Sequence, residues 1–250
     1  MLGVRFALHS QLSIGRQGAL AGGQRLLLRQ GENDMACGHH CVLMALMLLG
    51  VVQRDALYDE DMDERLNEVC AIGQSRYFTG CLVTHIKQQS VPFDEQVRCR
   101  HLQQDVAART VTALEADQVC LVRFTSHSDS HWVLAVVVMY VGEVPEALLV
   151  LDPLMDAVPL TPWNALLEHW GTKRLRNTNA RWSEKAVIEK VLQVGISKRG
   201  LTKTVRYAVC LGNWCFVRKL KAMLPGGASN LILALASLEC SNSVACSPSP

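Results

Sequence analysis

With 250 residues, 49% of them hydrophobic, the chain can bury a sizeable core, as one medium domain with an extension or as two small domains; its longest apolar runs, "CVLMALMLLGVV" and "VLAVVVMYV", are too short to span a bilayer. The ten cysteines do not read as a disulfide scaffold: Cys41, Cys120 and Cys210 sit inside apolar segments, where a free thiol packs as a small hydrophobe, and no signal peptide is evident, so a reducing compartment is expected. The net charge of +2 hides a division, since residues 32–170 hold 8 basic and 20 acidic side chains while residues 171–225 hold 13 basic and 2 acidic.

In chain order, residues 1–24 read as a weakly ordered, Gly-punctuated lead-in. "ENDMACGHHCVLMALMLLG" predicts a buried helix that Asn33 or Asp34 can cap and Gly50 can end. A polar amphipathic helix is expected over 53–70, a short one from Gly80 to Gln89, and another over 101–116. The pattern then changes. "QVCLVRF" (118–124), "HWVLAVVVMYV" (131–141) and "ALLVLDP" (147–153) are β-rich runs separated by polar or Gly/Pro breaks, and they predict strands of an antiparallel sheet. "TPWNALLEHW" (161–170) carries a Thr cap and a Pro at the first helical position, which predicts a closing helix. Helices first and a sheet afterwards is an α+β order. The expected domain is 25–171. A basic extension follows over 172–238, with a helix at 183–193, a strand at 203–211 and a basic helix at 214–224. "NLILALASL" reads as a short apolar helix or docking segment. The tail, 239–250, is expected to be disordered.

The chemistry-bearing residues cluster at the first helix. A thiolate is a strong nucleophile but scarce at neutral pH, and a helix N-terminus favours the anion through unpaired N–H groups and partial positive charge. Cys37 lies where that first turn begins, and Gly38 beside it allows a close backbone approach. A cysteine enzyme also needs a base and an acceptor to orient the base. His131 opens one strand and Asp152 ends the next. If those strands form a hairpin, the start of one lies beside the end of the other, so His131 and Asp152 meet and Cys37 completes a Cys–His–Asp set.

The order "ACGHHCVLMALMLLG", "FTGCLVTHIKQQSV", "HWVLAVVVMY", "VLDPLMDAVPLTPWNALLEHW" resembles papain-like cysteine peptidases, in particular the bacteriocin-processing, double-glycine-leader peptidases and their stand-alone relatives, over about residues 28–170. The resemblance implies a papain-like fold with helices packed on an antiparallel sheet. It implies Cys37 as nucleophile, His131 as base and Asp152 as its orienter, and a glutamine before the nucleophile for the oxyanion. Here Gln30 stands seven residues before Cys37, where the family has six. A loop bulge absorbs the difference, or Asn33 or a backbone N–H takes the role. The family's membrane transporter and ATPase parts have no counterpart in this chain, so leader cleavage does not carry over.

Other readings compete. Cys41 lies one turn inside an apolar helix, a poor place for a nucleophile. His39 and His40 read as cleft rim or helix surface, and Trp132 as site wall or core. His127 is a rival base in a Ser-rich loop that fixes no orientation. Cys37, His40 and Cys41 lack a second ligand pair, so neither a metal nor any other cofactor is expected. The substrate the resemblance implies is a protein or peptide. The same triad can deamidate a glutamine side chain or transfer the acyl group to an amine, and a silent papain-like binding module is the non-enzymatic alternative. The basic segment 171–225 suits an acidic protein or a membrane surface; no motif supports nucleic acid. The location expected is the cytoplasm, or that of a translocated effector.

Overall fold

The computed structural model describes residues 3–31, 34–126, 129–168, 175–177 and 185–197. The protein is α+β. Its main sheet is antiparallel and holds eight strands: β1 (Val4–Leu8), β5 (Val97–Leu102), β6 (Val119–Ser126), β7 (Asp129–Val141), β8 (Val144–Leu151), β9 (Ala165–Glu168), β10 (Leu175–Asn177) and β11 (Lys185–Ile196). Pairing runs β7–β6–β11–β10–β9–β8, and β8 pairs again with β7, so six strands close into a ring. A second, small sheet joins β2 (Leu12–Gly15), β3 (Gly18–Ala21) and β4 (Gln24–Arg25). The helices are α1 (Cys37–Leu48), α2 (Glu64–Gln74), α3 (Val83–Ser90) and α4 (Val106–Glu115).

The apolar run of β7 follows from its position between two cores. A strand covered on both faces reads as continuously hydrophobic rather than alternating. Trp132, Leu134 and Val136 face a core shared with α1, while Val133, Ala135 and Val138 face a second core filled by β6, β8, β9, β11 and α4. A bulge between Ala135 and Val137 sets Val136 and Val137 both toward the helices. An extra residue of this kind bends the strand, which helps the sheet curl. Val119 to Val122, Leu134 to Val138 and Ala147 to Val150 are at most 1% exposed.

Several sequence expectations need correction. The lead-in forms β1 to β4, and β1 pairs with the second half of β7 from Val4↔Val141 to Leu8↔Val137. The 53–70 helix is a short 3-10 turn (Asp55–Leu57) followed by α2, which Asp63 caps by accepting from the Arg65 and Leu66 N–H groups. The 101–116 segment opens as the end of β5, and its helix begins only at Val106. The predicted closing helix at 161–170 is instead an extended approach to β9. The Thr161 hydroxyl donates to the Trp163 carbonyl, the Asn164 side chain is spent on Asp152, and Ala165–Glu168 pairs with Ala147–Val150. Pairing to a buried strand overrides the local helix signal.

The described part of the 183–193 segment, from Lys185 on, is likewise a strand. Between Val191 and Val194, β11 runs between β5 and β6, and its Val191 and Leu192 are fully buried. The sheet therefore extends past the expected boundary at residue 171. The expectations for 203–211, 214–224, "NLILALASL" and the tail lie outside the described residues. Among the described residues no helix is long and apolar enough to cross a membrane.

Candidate active site

Helix α1 is apolar nearly all round, so it is buried rather than amphipathic, and only its ends carry polar business. Its N-cap is Ala36, which offers no side-chain acceptor, and Cys37 is the first helical residue. Asp34 does not cap the helix as expected; its Oδ1 accepts the Ala36 N–H at 3.0 Å, one step earlier. Gly38 is needed for packing. A Cβ there would stand 2.7 Å from the Cys81 Cβ and 3.1 Å from the Trp132 ring, so the expected substrate approach at this position meets side chains. The Trp132 indole N–H donates to the Cys81 carbonyl at 2.8 Å, locking the strand layer under the helix start.

The strand register brings His131 to Asp152. Leu134 pairs with Leu151, so continuing that register sets Asp152 opposite Val133, two residues from His131 and on the same face. The contact is direct: His131 Nε2–H donates to Asp152 Oδ1 at 2.7 Å, with both side chains buried. The Phe124 ring meets the imidazole edge to face at 5.7 Å. Burial alone would push the His131 pKa down. The Asp152 carboxylate, by charge and hydrogen bond, outweighs it, and the neighbouring Cys37 sulfur adds a hydrogen bond and charge in the same direction, so the pKa is raised to about 10. With Nε2 committed to Asp152, Nδ1 is the ring nitrogen left for the Cys37 sulfur.

Asp152 is held from behind by Asn164, a residue the sequence reading passed over. The Asn164 Oδ1 accepts the Asp152 N–H at 2.7 Å, and its Nδ2 donates to the Asp152 carbonyl at 2.8 Å and the Met155 carbonyl at 3.1 Å. The Leu154 N–H donates to Asp152 Oδ1 at 2.9 Å. Such a two-point clamp fixes where the carboxylate points, the role that partners beyond the reacting groups commonly play. The only sequence signal for it was an asparagine after "TPW", read there as part of a helix.

Gln30 joins the group. Its backbone N–H donates to the Pro153 carbonyl at 2.9 Å, directly after Asp152, and its side-chain Nε2 donates to the Asp34 carbonyl. The alternative oxyanion residue Asn33 and the rival base His127 lie outside the described residues.

The remaining sequence candidates sit elsewhere in the packing. His39 is not cleft rim or helix surface but 2% exposed. Its Nδ1–H donates to the Gln89 Oε1 at 2.6 Å, and burial holds its pKa down at about 4, so it is neutral in water near pH 7. His40 donates Nδ1–H to the Ala36 carbonyl at 3.0 Å. Cys41 is fully buried, and burial pushes its thiol up; Cys81 is pushed up to about 11 for the same reason. Neither suits a nucleophile, because the thiolate is the reactive form. Trp132 belongs to the core under α1. Cys37, Cys41, Cys70, Cys81, Cys99 and Cys120 are free thiols. Among the described residues no three His, Cys, Asp or Glu side chains converge as a metal ion would require.

Three side chains drawn from a helix start, a strand start and a strand end thus form one buried chain, sulfur to imidazole to carboxylate. That arrangement can move a proton from thiol to ring while the carboxylate keeps the charged ring in place. No family model matches this chain, and no curated protein matches it.

Proposed function

We propose that this protein is a papain-like cysteine hydrolase that cleaves amide bonds of a protein or peptide, with Cys37 as nucleophile, His131 as base and acid, and Asp152 as the group that orients His131. The observation that carries this reading is the His131 ring, bonded to a buried carboxylate at Nε2 and also neighboured by the Cys37 sulfur.

The Cys37 sulfur attacks the carbonyl carbon, and the proton it gave up resides on His131. The tetrahedral oxyanion is held by N–H groups at the start of α1, where the N-cap has no side-chain acceptor and the helix charge is positive, and the Gln30 amide is the second donor that the resemblance implies. Collapse expels the amine, which takes the proton from His131, and leaves a thioester. Water then attacks the thioester, giving its proton to His131; the carboxylic acid departs and the thiol is restored. Asp152 orients His131 and stabilises the imidazolium. The order of a helix-borne cysteine, a strand-borne histidine and an aspartate at the end of the next strand is that of the papain-like peptidases the sequence resembles.

The test is incubation of the full-length protein with candidate proteins, read by intact mass, with Cys37→Ala as control. Cleavage that the control lacks supports a peptidase. The small mass gain of amide-to-acid conversion, without cleavage, would replace it by a glutamine deamidase. Iodoacetamide labelling of another cysteine ahead of Cys37 would remove the nucleophile and the reading with it.

A further inference from the structure

We infer that Asp34 is a positioning residue for the oxyanion hole: its carboxylate folds the loop in front of α1, and its carbonyl aims the Gln30 amide. This rests on the hydrolase reading above and adds a residue to it.

The argument starts from what holds the Gln30 side chain. Gln30 is 8% exposed, its Oε1 is buried with no partner among the described residues, and its Nε2 donates to the Asp34 carbonyl. An amide normally has two donors and an acceptor to place. Here one donor is anchored and the oxygen has no partner among the described residues, so the Asp34 carbonyl helps set the direction of the second N–H. The Gln30 backbone is already fixed, by its N–H bond to the Pro153 carbonyl.

The place of the Asp34 carbonyl is set by its own side chain. Oδ2 accepts the Gly31 N–H at 2.7 Å and Oδ1 accepts the Ala36 N–H at 3.0 Å. One carboxylate therefore ties the residue after Gln30 to the N-cap residue of α1, the residue that precedes the nucleophile. Bonds to a charged acceptor are about twice as strong as neutral ones, so Asp34 firmly links the Gln30 side to the start of α1.

Two reactions of Cys37 separate this role from general support. Iodoacetamide alkylates the sulfur at a saturated carbon, expelling iodide, and no oxyanion forms. p-Nitrophenyl acetate acylates the sulfur through a tetrahedral oxyanion, expelling nitrophenolate, and water then releases acetate. The experiment measures both rates at Cys37 of the full-length protein, for the parent, Asp34→Ala, Asp34→Asn, Gln30→Ala and the Gln30→Ala/Asp34→Ala pair. Removing one oxyanion donor commonly costs about 100-fold, and misaiming it should cost about tenfold. Asp34→Ala is expected to slow acylation about tenfold while alkylation changes less than about twofold. Asp34→Asn keeps one side-chain oxygen and should recover part of the loss. The double variant should be no slower than Gln30→Ala, because Asp34 acts through Gln30 and the two effects are coupled. Parallel losses in both reactions, an unchanged acylation rate in Asp34→Ala, or additive losses in the double variant would each overturn the inference. If Cys37→Ala still turns over the ester, the hydrolase reading fails first and takes Asp34 with it; that outcome is distinct, because it appears in a variant that leaves Asp34 intact.

Discussion

The two ends of α1 are built to opposite rules. At its C-terminus the chain closes off its own polar groups: Gly50, at φ +70°, donates its N–H to the Met47 carbonyl, and the Val51 N–H reaches the Leu46 carbonyl. That is the left-handed glycine stop that satisfies orphan carbonyls. At its N-terminus the N-cap Ala36 offers no side-chain acceptor, although the end is packed under Trp132 and Cys81 and the His39 N–H meets the Cys81 sulfur. Orphan donors at a packed helix end call for a partner. The difference separates a closed end from an end whose N-cap supplies no acceptor, within one twelve-residue helix, and the proposed chemistry uses the second.

The comparison can be broken at the reactive end first. Cys37→Ala should abolish turnover, a loss of about 10⁶-fold if the triad acts as a unit, while leaving thermal stability nearly unchanged. Asp152→Asn should cost about 10⁴-fold, because an amide N–H facing Nε2 puts the His131 proton on Nδ1, the wrong tautomer for a base. The same pair gives a pH signature. The folded His131 pKa, raised to about 10, lies above its unfolded value near 6.5, so its contribution to stability is complete below about pH 6.5 and falls away as pH rises through about 10. Thermal unfolding of the parent between pH 7 and 10.5 should show that decline, and Asp152→Asn should flatten it.

Smaller effects belong to the structural side. A Cβ at Gly73 would lie 2.1 Å from the His39 ring, which is itself bonded to Gln89. Gly73→Ala should therefore destabilise the α1–α2–α3 packing by about 3 kcal/mol, read by urea unfolding. Gly50→Ala should cost only about 1 kcal/mol, the strain of a left-handed alanine, and should leave Cys37 alkylation untouched. If Gly50→Ala slowed alkylation as much as it lowered stability, the two ends of the helix would not be separable.

Much of this was legible in the sequence because its signals are local. Cys37 sits where an apolar run begins, and His131 and Asp152 sit at the limits of β runs, so a hairpin brings them together without knowledge of the rest. What was not legible depends on distant partners. "KAVIEKVLQV" has the composition of a helix, and only its place beside β6 and β5 makes it a strand. "TPWNALLE" carries a sound helix start, yet Asn164 serves Asp152 and the residues after it pair with β8. The burial of His39 depends on a glutamine 50 positions later, and no pattern in either segment announces the pair.

The ring of strands carries a consequence for synthesis. Gln30, Cys37, His131 and Asp152 are all made before β11, yet β6, whose pairing sets the start of β7 and thus His131, has β11 as its other neighbour. Ring closure joins segments far apart in the chain, a slow kind of contact to form. A nascent chain therefore holds every reacting group well before the barrel that aligns them can close. The Cys37 thiol is made early, and the strand ring that fixes His131 and Asp152 closes late.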